Sequence, residues 1–219
     1  MASSGSKNNS RFSDDNTTLK IIHAIENNGG TSQRTLAKEV EIALGLTNAY
    51  LKRCIRKGWV KVTQAPTQRY FYYLTPKGFS EKARLTATYL SNSFDMFREA
   101  RAQCDRILQH CHDSGLKNIA LIGVSELAEV AILSSLNKVP VITAIVDPSS
   151  NLPSVAGISV VRELSELPNV DGVIVTDMRT SQHTFEKVAV IVPANEIFVP
   201  ELLHVNRKIV GFRTNGANK

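Results

Sequence analysis

A change of hydrophobic period near residue 117 is the feature that most constrains the fold of this 219-residue chain. Before that point, apolar residues recur every three or four positions, as they do along one face of a helix. After it, uninterrupted apolar runs such as IALIG (119–123) and VITAIVD (141–147) alternate with helix-like stretches. Such runs are typical of strands buried on both faces of a parallel sheet. The sequence therefore predicts an α/β protein with two domains of different architecture.

The net charge of +6 is divided unequally between these halves. Residues 1–115 carry 17 Lys and Arg against 10 Asp and Glu, whereas residues 116–219 carry 9 against 10. The excess is concentrated in residues 46–84, where nine cations accompany one acid, Glu81. A solvated surface is the usual explanation of a charge run. A polyanionic partner is the alternative, which a DNA-binding motif at the same place favours.

Three helices followed by a hairpin are predicted over residues 17–78. Helical spacing begins at Thr17 and ends at Gly29-Gly30, and Ser32 is a suitable N-cap for a second helix. Thr47 is predicted to cap a third helix that Gly58 ends. WVKVTQ and RYFYYLT, which flank Ala-Pro-Thr-Gln, have the composition of a hairpin. This order predicts a winged helix–turn–helix, preceded by a flexible polar arm over residues 1–16.

The segments TLAKEVEIALGLTNAYLKRCIRKGWVKV (35–62) and YFYYLTPKGFSEKARLT (70–86) resemble the MarR-type winged-helix transcriptional regulators, in particular the subgroup associated with exopolysaccharide gene clusters. The resemblance implies double-stranded DNA as the partner, with contacts from the third helix and the wing. Thr47, Asn48 and Tyr50 are expected at base edges, because they begin the reading helix. The full set of expected DNA-contacting residues is Arg34, Thr47, Asn48, Tyr50, Lys52, Arg53, Arg56, Lys57, Lys61, Gln68 and Arg69.

A long helix without Gly or Pro is predicted over residues 79–113. Its apolar positions, which recur at steps of three and four, include Leu85, Tyr89, Met96, Cys104 and Leu108. We expect this stripe to form a homodimer interface, as the resemblance also implies, and the alternative is packing within the same chain.

Residues 117–219 are predicted to form a small Rossmann-like parallel sheet with a ligand-sensing role. The run FEKVAVIVPANEIFVP (185–200) is interpreted as a further strand region. Ligands in such sheets bind beyond the carboxyl ends of the strands, and a helix that starts after Ser125 offers free amides to a phosphate. Asp147 follows Gly123 at about the spacing of a ribose-binding acid. The expected ligand-binding residues are Gly123, Val124, Ser125, Glu126, Asp147, Thr176 and Asp177.

The first turn departs from the dinucleotide fingerprint G-x-G-x-x-G, because Ser125 and Ala128 stand where the second and third glycines belong. A serine side chain would lie where the backbone approaches a pyrophosphate, which disfavours tight NAD binding. The stretch is similar to the Rossmann-like domains of nucleotide-sugar acetyltransferases and of CoA-binding proteins. That resemblance implies a nucleotide or nucleotide-sugar effector, and the alternative is a ligand-free domain used for dimerisation.

No catalytic or metal-binding motif is identified. P-loop, G-x-S-x-G and H-E-x-x-H sequences do not occur. His110-Cys111-His112 lies at a helix end without a C-x-x-C, so a buried thiol between solvated histidines is expected rather than a metal ligand set. Cys54 is expected to pack in the core, with a redox role beside Arg53 as the alternative. Three cysteines and the lack of a long apolar run favour the cytoplasm over a membrane or secreted location.

These observations predict a dimeric, non-enzymatic transcriptional regulator in which a winged helix binds DNA and a Rossmann-like domain senses a small phosphorylated molecule. Two alternatives stay open. One is an NADH-sensing redox repressor with the layout of the Rex family. The other is a nucleotide-sugar enzyme in which the winged helix is a protein-interaction module.

Overall fold

The structure is a computed structural model that describes residues 4–28, 32–64, 70–136 and 139–209. The chain divides into two units, Met1–Phe94 and Asp95–Lys219, and the division falls within one long helix. We describe each unit by itself. The described helices contain no apolar stretch that could traverse a bilayer.

The first unit is a winged helix–turn–helix. Its elements are α1 (Ser4–Asn27), α2 (Gln33–Val40), α3 (Leu44–Arg56), β1 (Val60–Gln64), β2 (Tyr70–Leu74) and the beginning of α4 (Pro76–Asp113). The two strands are antiparallel, with Val60 opposite Leu74. Buried apolar side chains from α1, α2, α3, the hairpin and α4 form one core, which includes Ile22, Leu36, Leu51, Tyr72 and Leu85.

Three predicted helix starts were wrong, and one of them is the start of α4, which begins at Pro76 rather than at residue 79 and so includes Pro76 and Gly78. Helix α1 begins at Ser4, so residues 4–16 are helical rather than a flexible arm. Helix α3 begins at Leu44 and includes Gly45, because Glu41 takes the left-handed conformation (φ 59°) and makes the turn after α2. The predicted N-cap Ser32 is confirmed, since its side chain accepts a hydrogen bond from the amide of Thr35. The predicted stop at Gly29-Gly30 lies outside the described residues.

The end of α3 has the geometry that its sequence predicts. The amide of Gly58 (φ +72°) donates to the carbonyl of Ile55, and the amide of Trp59 donates to that of Cys54. This pair of bonds is a Schellman motif, in which a left-handed residue directs the chain away from the helix. Trp59 is thereby buried against Cys54 in the core, and the hairpin begins at a fixed position relative to α3.

The sequence Thr75-Pro76-Lys77-Gly78 fixes the junction between the hairpin and α4. The hydroxyl of Thr75 accepts from the amide of Gly78 at 3.0 Å and donates to the carbonyl of Gly58 at 2.6 Å. A Cβ on Gly78 would lie 2.1 Å from the carbonyl oxygen of Trp59, so no other residue fits there without displacement. Pro76 suits the first helical position, which needs no amide donor.

The second unit is a parallel-rich mixed sheet with helices on both faces. Its elements after α4 are β3 (Asn118–Ile122), α5 (Glu126–Ser135), β4 (Val141–Val146), β5 (Ser154–Val155), β6 (Ile158–Val161), β7 (Gly172–Val175), α6 (Ser181–Val188) and β8 (Ile197–Phe198). The strand order is β5-β6-β4-β3-β7-β8, and every neighbouring pair is parallel except β5 with β6. Without the edge strand β5, this is the 3-2-1-4-5 order of a doubly wound sheet.

Alternate residues of β3 divide the core between the two faces of this sheet. Ile119 and Leu121 pack with α5 and with the end of α4, whereas Ala120 and Ile122 pack with α6. Residues on α4 that were expected at a dimer interface, including Cys104 and Leu108, are therefore buried within their own unit.

The region 185–200 was wrongly interpreted as mostly strand. Phe185 and Val188 lie three residues apart on α6, where both are buried against the sheet. Only Ile197–Phe198 forms a strand, and Val190 and Ile191 are exposed. A short apolar run cannot be assigned to helix or strand by composition alone, because both structures can bury it.

Candidate nucleic-acid interface and ligand cavity

The outward face of α3 carries a polar stripe. Ala49, Lys52 and Arg56 are exposed, Asn48 is half-buried, and their spacing of three or four residues places them on one side of the helix. Buried Leu51 and Cys54 hold the opposite side against the core. The stripe therefore presents an amide and two cations to solvent.

Thr47 does not belong to this stripe. Its side chain is fully buried, and its hydroxyl donates to the carbonyl of Ala43 at 3.2 Å. Thr47 lies four residues before Leu51 and seven before Cys54, so it shares their buried face of α3. The structure thus places Thr47 where it cannot contact a base edge.

Tyr50 and Arg53 are held by the first helix. Nη1 of Arg53 donates to both carboxylate oxygens of Asp14, at 2.8 and 3.0 Å, and the Tyr50 hydroxyl donates to the same carboxylate at 2.7 Å. Nη2 of Arg53 donates to the Thr18 hydroxyl at 2.6 Å. The guanidinium also lies 4.5 Å from the centroid of the Tyr50 ring. These contacts join α1 to α3 and neutralise one of the cations that sequence reasoning assigned to DNA.

This environment shifts the pKa of Asp14, and the pKa of the neighbouring Cys54 is shifted as well. Burial raises the pKa of Asp14, but hydrogen bonds from Tyr50 and Arg53 outweigh it, so the pKa lies below its ordinary value. Burial raises the pKa of Cys54 to about 11, although Arg53 and Lys57 act in the opposite direction. The Cys54 thiol is therefore protonated at neutral pH, which favours packing over the redox role.

The other cations that were expected to contact DNA lie on different elements of the first unit. Arg34 on α2 and Lys61 on β1 are exposed. The Lys57 amine lies 4.4 Å from the centroid of the Trp59 ring, a cation–π contact that leaves the residue exposed. Gln68 and Arg69, predicted on the wing, lie outside the described residues.

The second unit has a cavity of about 550 Å³ at the carboxyl ends of β3, β4 and β7. Strand order reverses between β3 and β7, which is where doubly wound sheets bind ligands. Four of the expected ligand residues line the cavity: Gly123, Val124, Asp147 and Asp177. Three others, Ser125, Glu126 and Thr176, are not among its lining residues.

The turns at this edge of the sheet are held by contacts of Ser125, Thr176 and Gly123. The Ser125 hydroxyl donates to the carbonyl of Thr176 at 2.6 Å and accepts from the amide of Ala128, which confirms the predicted cap of α5. Thr176 is fully buried and donates to the carbonyl of Gly123 at 2.6 Å. A Cβ on Gly123 (φ +102°) would lie 2.6 Å from that of Asp177, so only glycine fits.

The two acids of the cavity are engaged by the chain's own donors. Asp177 accepts from the amides of Arg179 and Thr180 and from the hydroxyls of Thr180 and Thr184, at 2.5–3.1 Å. Burial raises its pKa, yet these hydrogen bonds outweigh burial and lower the pKa to about 2. Asp147 accepts from the amides of Val124 and Ser149 and from the Ser149 hydroxyl. Its pKa is likewise lowered by hydrogen bonds that outweigh burial.

Sequence reasoning missed the cationic wall of this cavity. Arg179, His183 and Lys187 line it and are exposed. Their spacing of four residues is visible in the sequence and would have indicated a common face, had residues 181–188 been recognised as a helix.

Comparison with known proteins supports the winged helix. Residues 14–61 match the family described as winged helix-turn-helix DNA-binding. In the structure the same segment contains most of α1, all of α2 and α3, and the start of the wing. No curated protein matches the chain.

Similarity to solved structures is low throughout. The chain is similar to MepR, a transcription regulator of the Staphylococcus aureus multidrug efflux pump MepA, at 16% identity over 37% of this chain and 62% of MepR, with a TM-score of 0.33. It is similar to the PcaV transcriptional regulator from Streptomyces coelicolor at 20% identity over 37% of this chain and 70% of PcaV (TM-score 0.29). Human N-acetylserotonin methyltransferase aligns at 13% identity over 91% of this chain and 81% of its own (TM-score 0.30). The chain spans less than two thirds of the length of MepR.

Proposed function

We propose that this protein is a non-enzymatic transcriptional regulator that binds double-stranded DNA through α3 and the wing. The observation that carries the proposal is the outward face of α3, where Asn48, Lys52 and Arg56 are presented on a winged helix–turn–helix. Cations in this position reach phosphates, and an amide side chain can read a base edge in the major groove.

The regulator acts as a homodimer in this proposal. Leu90 and Phe94 lie four residues apart on the part of α4 that belongs to the first unit, and they are 48% and 58% exposed. A second copy of the same helix face would cover this apolar surface, and a two-fold axis would present two reading helices to the DNA. Phe94→Ser should therefore yield monomers in analytical ultracentrifugation. Leu133→Ser, at a similarly exposed leucine on α5, should leave the dimer intact.

The cavity of the second unit is the proposed effector site. A nucleotide or nucleotide-sugar, and control of polysaccharide genes, are what the sequence resemblances imply. If the protein has two conformations that differ in affinity for DNA, an effector that binds one of them more tightly changes the affinity of the protein for DNA. Bound DNA then changes the affinity of the protein for the effector by the same factor.

Fluorescence anisotropy with labelled duplexes selected from a random-sequence pool tests the DNA-binding proposal. The account predicts binding that weakens steeply as salt rises, because displaced counterions drive association. The enzyme alternative predicts turnover of a nucleotide-sugar, with weak binding to DNA that barely depends on salt. Failure to enrich any duplex would contradict the regulator.

A further inference from the structure

We propose that the cavity of the second unit binds a phosphate monoester through Arg179, His183 and Lys187, and that it excludes dinucleotides. The inference rests on the proposed function and narrows it. It names a phosphate monoester, such as a nucleoside monophosphate, as the effector class, and it excludes the nucleotide-sugar that the sequence resemblance implies. It places the phosphate against α6, whereas a dinucleotide fold places the pyrophosphate at the N-terminus of the helix after the first strand.

One wall of the cavity, formed by Arg179, His183 and Lys187 and here called the α6 wall, has hydrogen-bond donors available to an anion. Among the described residues, no hydrogen bond or ion pair is made by the side chains of Arg179, His183 and Lys187. His183 and Lys187 are four residues apart on α6, so they share a face, and Arg179 precedes the helix on the same cavity wall. Two permanent cations and an imidazole on one wall suit the two negative charges and three terminal oxygens of a phosphate monoester.

The two acids of the cavity disfavour the binding of an anion at the carboxyl ends of the strands. Asp177 accepts four hydrogen bonds from the protein, which is about the full capacity of a carboxylate. Asp147 accepts three. Both acids are ionised at neutral pH and lie at the ends of β4 and β7, so they repel a phosphate from the corner at Gly123. Formal charge is thus divided within the cavity, with the acids at the strand ends, Lys187 on α6 and Arg179 in the loop before it.

The N-terminus of α5 is closed to a pyrophosphate. The Ser125 hydroxyl already caps the amide of Ala128, and the amide of Val124 is bonded to Asp147. Glu126 and Glu129 occupy the first turn of α5, where their charges oppose an incoming anion and already complement the helix dipole. The Ser125 side chain also stands where a dinucleotide fold needs glycine. These features argue against the NADH-sensing alternative.

Isothermal titration calorimetry on the full chain tests the proposal with glucose 1-phosphate, AMP, UDP-glucose and NADH as probes. We expect the two monoesters to bind, and NADH and UDP-glucose to bind more weakly or not at all. Arg179→Gln and Lys187→Gln should each weaken monoester binding about tenfold, because each removes one charge-assisted hydrogen bond. Lys117→Gln makes the same charge change at the amino end of β3, outside the cavity, and should have no effect.

Three results would overturn the proposal: NADH or UDP-glucose binding at least as tightly as the monoesters, monoester binding that survives Lys187→Gln unchanged, or no binding of either monoester at millimolar concentration. DNA binding measured on the same preparations separates this inference from the proposed function. A preparation that binds DNA but no monoester contradicts the effector class alone.

Discussion

The Asp14 carboxylate on α1 accepts two hydrogen bonds from one guanidinium nitrogen of Arg53 on the reading helix, across 39 positions of sequence. Tyr50 and Thr18 complete the network, and Nε of Arg53 is buried without a hydrogen-bond partner among the described residues. Arg53 is therefore a residue that positions α3 in this account, whereas Lys52 and Arg56 face the solvent.

Asp14→Asn should make the first unit less stable at neutral pH, by about 1 kcal/mol for a pair that is partly exposed. The folded pKa of Asp14 is lowered, so its contribution is present above the ordinary value of 3.8 and is lost as pH falls through the folded pKa. Urea unfolding followed by the fluorescence of Trp59, the one tryptophan of the chain, measures this unit. The variant and the parent should differ at pH 7 and converge in acid. A difference that persists unchanged at low pH would show that the charge of Asp14 is not responsible.

Arg53→Ala should destabilise the same unit by about 1–2 kcal/mol, because the change leaves the partly exposed Asp14 carboxylate with only the hydrogen bond from Tyr50 and removes the donor to the Thr18 hydroxyl. Lys52→Ala should change stability by no more than about 0.5 kcal/mol, since its side chain is exposed. The same unfolding assay compares the two adjacent substitutions. Equal stability of the two variants would mean that the contacts of Arg53 with α1 contribute nothing.

Gly78→Ala should cost about 2–3 kcal/mol of stability, because its Cβ would overlap the carbonyl of Trp59, which is backbone and cannot rotate away. Gly45→Ala is the matched control. No atom lies within 4 Å of a Cβ at that position in α3, so alanine should stabilise by about 0.5 kcal/mol through helix propensity. Thermal unfolding monitored at Trp59 distinguishes the two. A Gly78→Ala protein as stable as the parent would contradict the close approach of α4 to the hairpin.

The three thiols should be unreactive in the native protein. Cys54, Cys104 and Cys111 are fully buried, and burial raises the pKa of each to about 11. Ellman's reagent should therefore label no thiol at pH 8 until denaturant is added, and three thereafter. Rapid labelling of Cys54 without unfolding would revive the redox alternative for the DNA-binding unit.

Helix caps, which depend on neighbouring residues, were predictable from the sequence. Features that depend on contacts between distant residues were not. Ser32, Ser125 and Gly58 act within three residues of their own position, so their roles as caps follow from residue type. The start of α3 depends on the left-handed conformation of Glu41, which residue type does not indicate. The predicted N-cap Thr47 lies four residues after the observed N-cap Ala43, and a shift of about one helical turn leaves the apolar pattern nearly unchanged.

The pairing of Asp14 with Arg53 has no sequence signal, because it arises from the packing of two helices. The cavity was likewise predicted only in part. Its place at the ends of β3, β4 and β7 followed from the alternation of strands and helices. The saturation of Asp177 by Thr180 and Thr184 required the fold of α6, whose last four residues (185–188) the sequence analysis had placed in a strand region.

The salt dependence of DNA binding by a Lys52→Gln, Arg56→Gln double variant tests the central claim most directly. In fluorescence anisotropy with a duplex selected by the parent protein, the slope of log affinity against log salt should become shallower by about 4, because each protomer of the dimer loses two cations, with lower affinity at low salt. A Lys117→Gln, Arg162→Gln control, which removes the same charge from the second unit, should keep the parent's slope. A double variant that binds with the parent's affinity and slope would contradict the assignment of the α3 face to DNA.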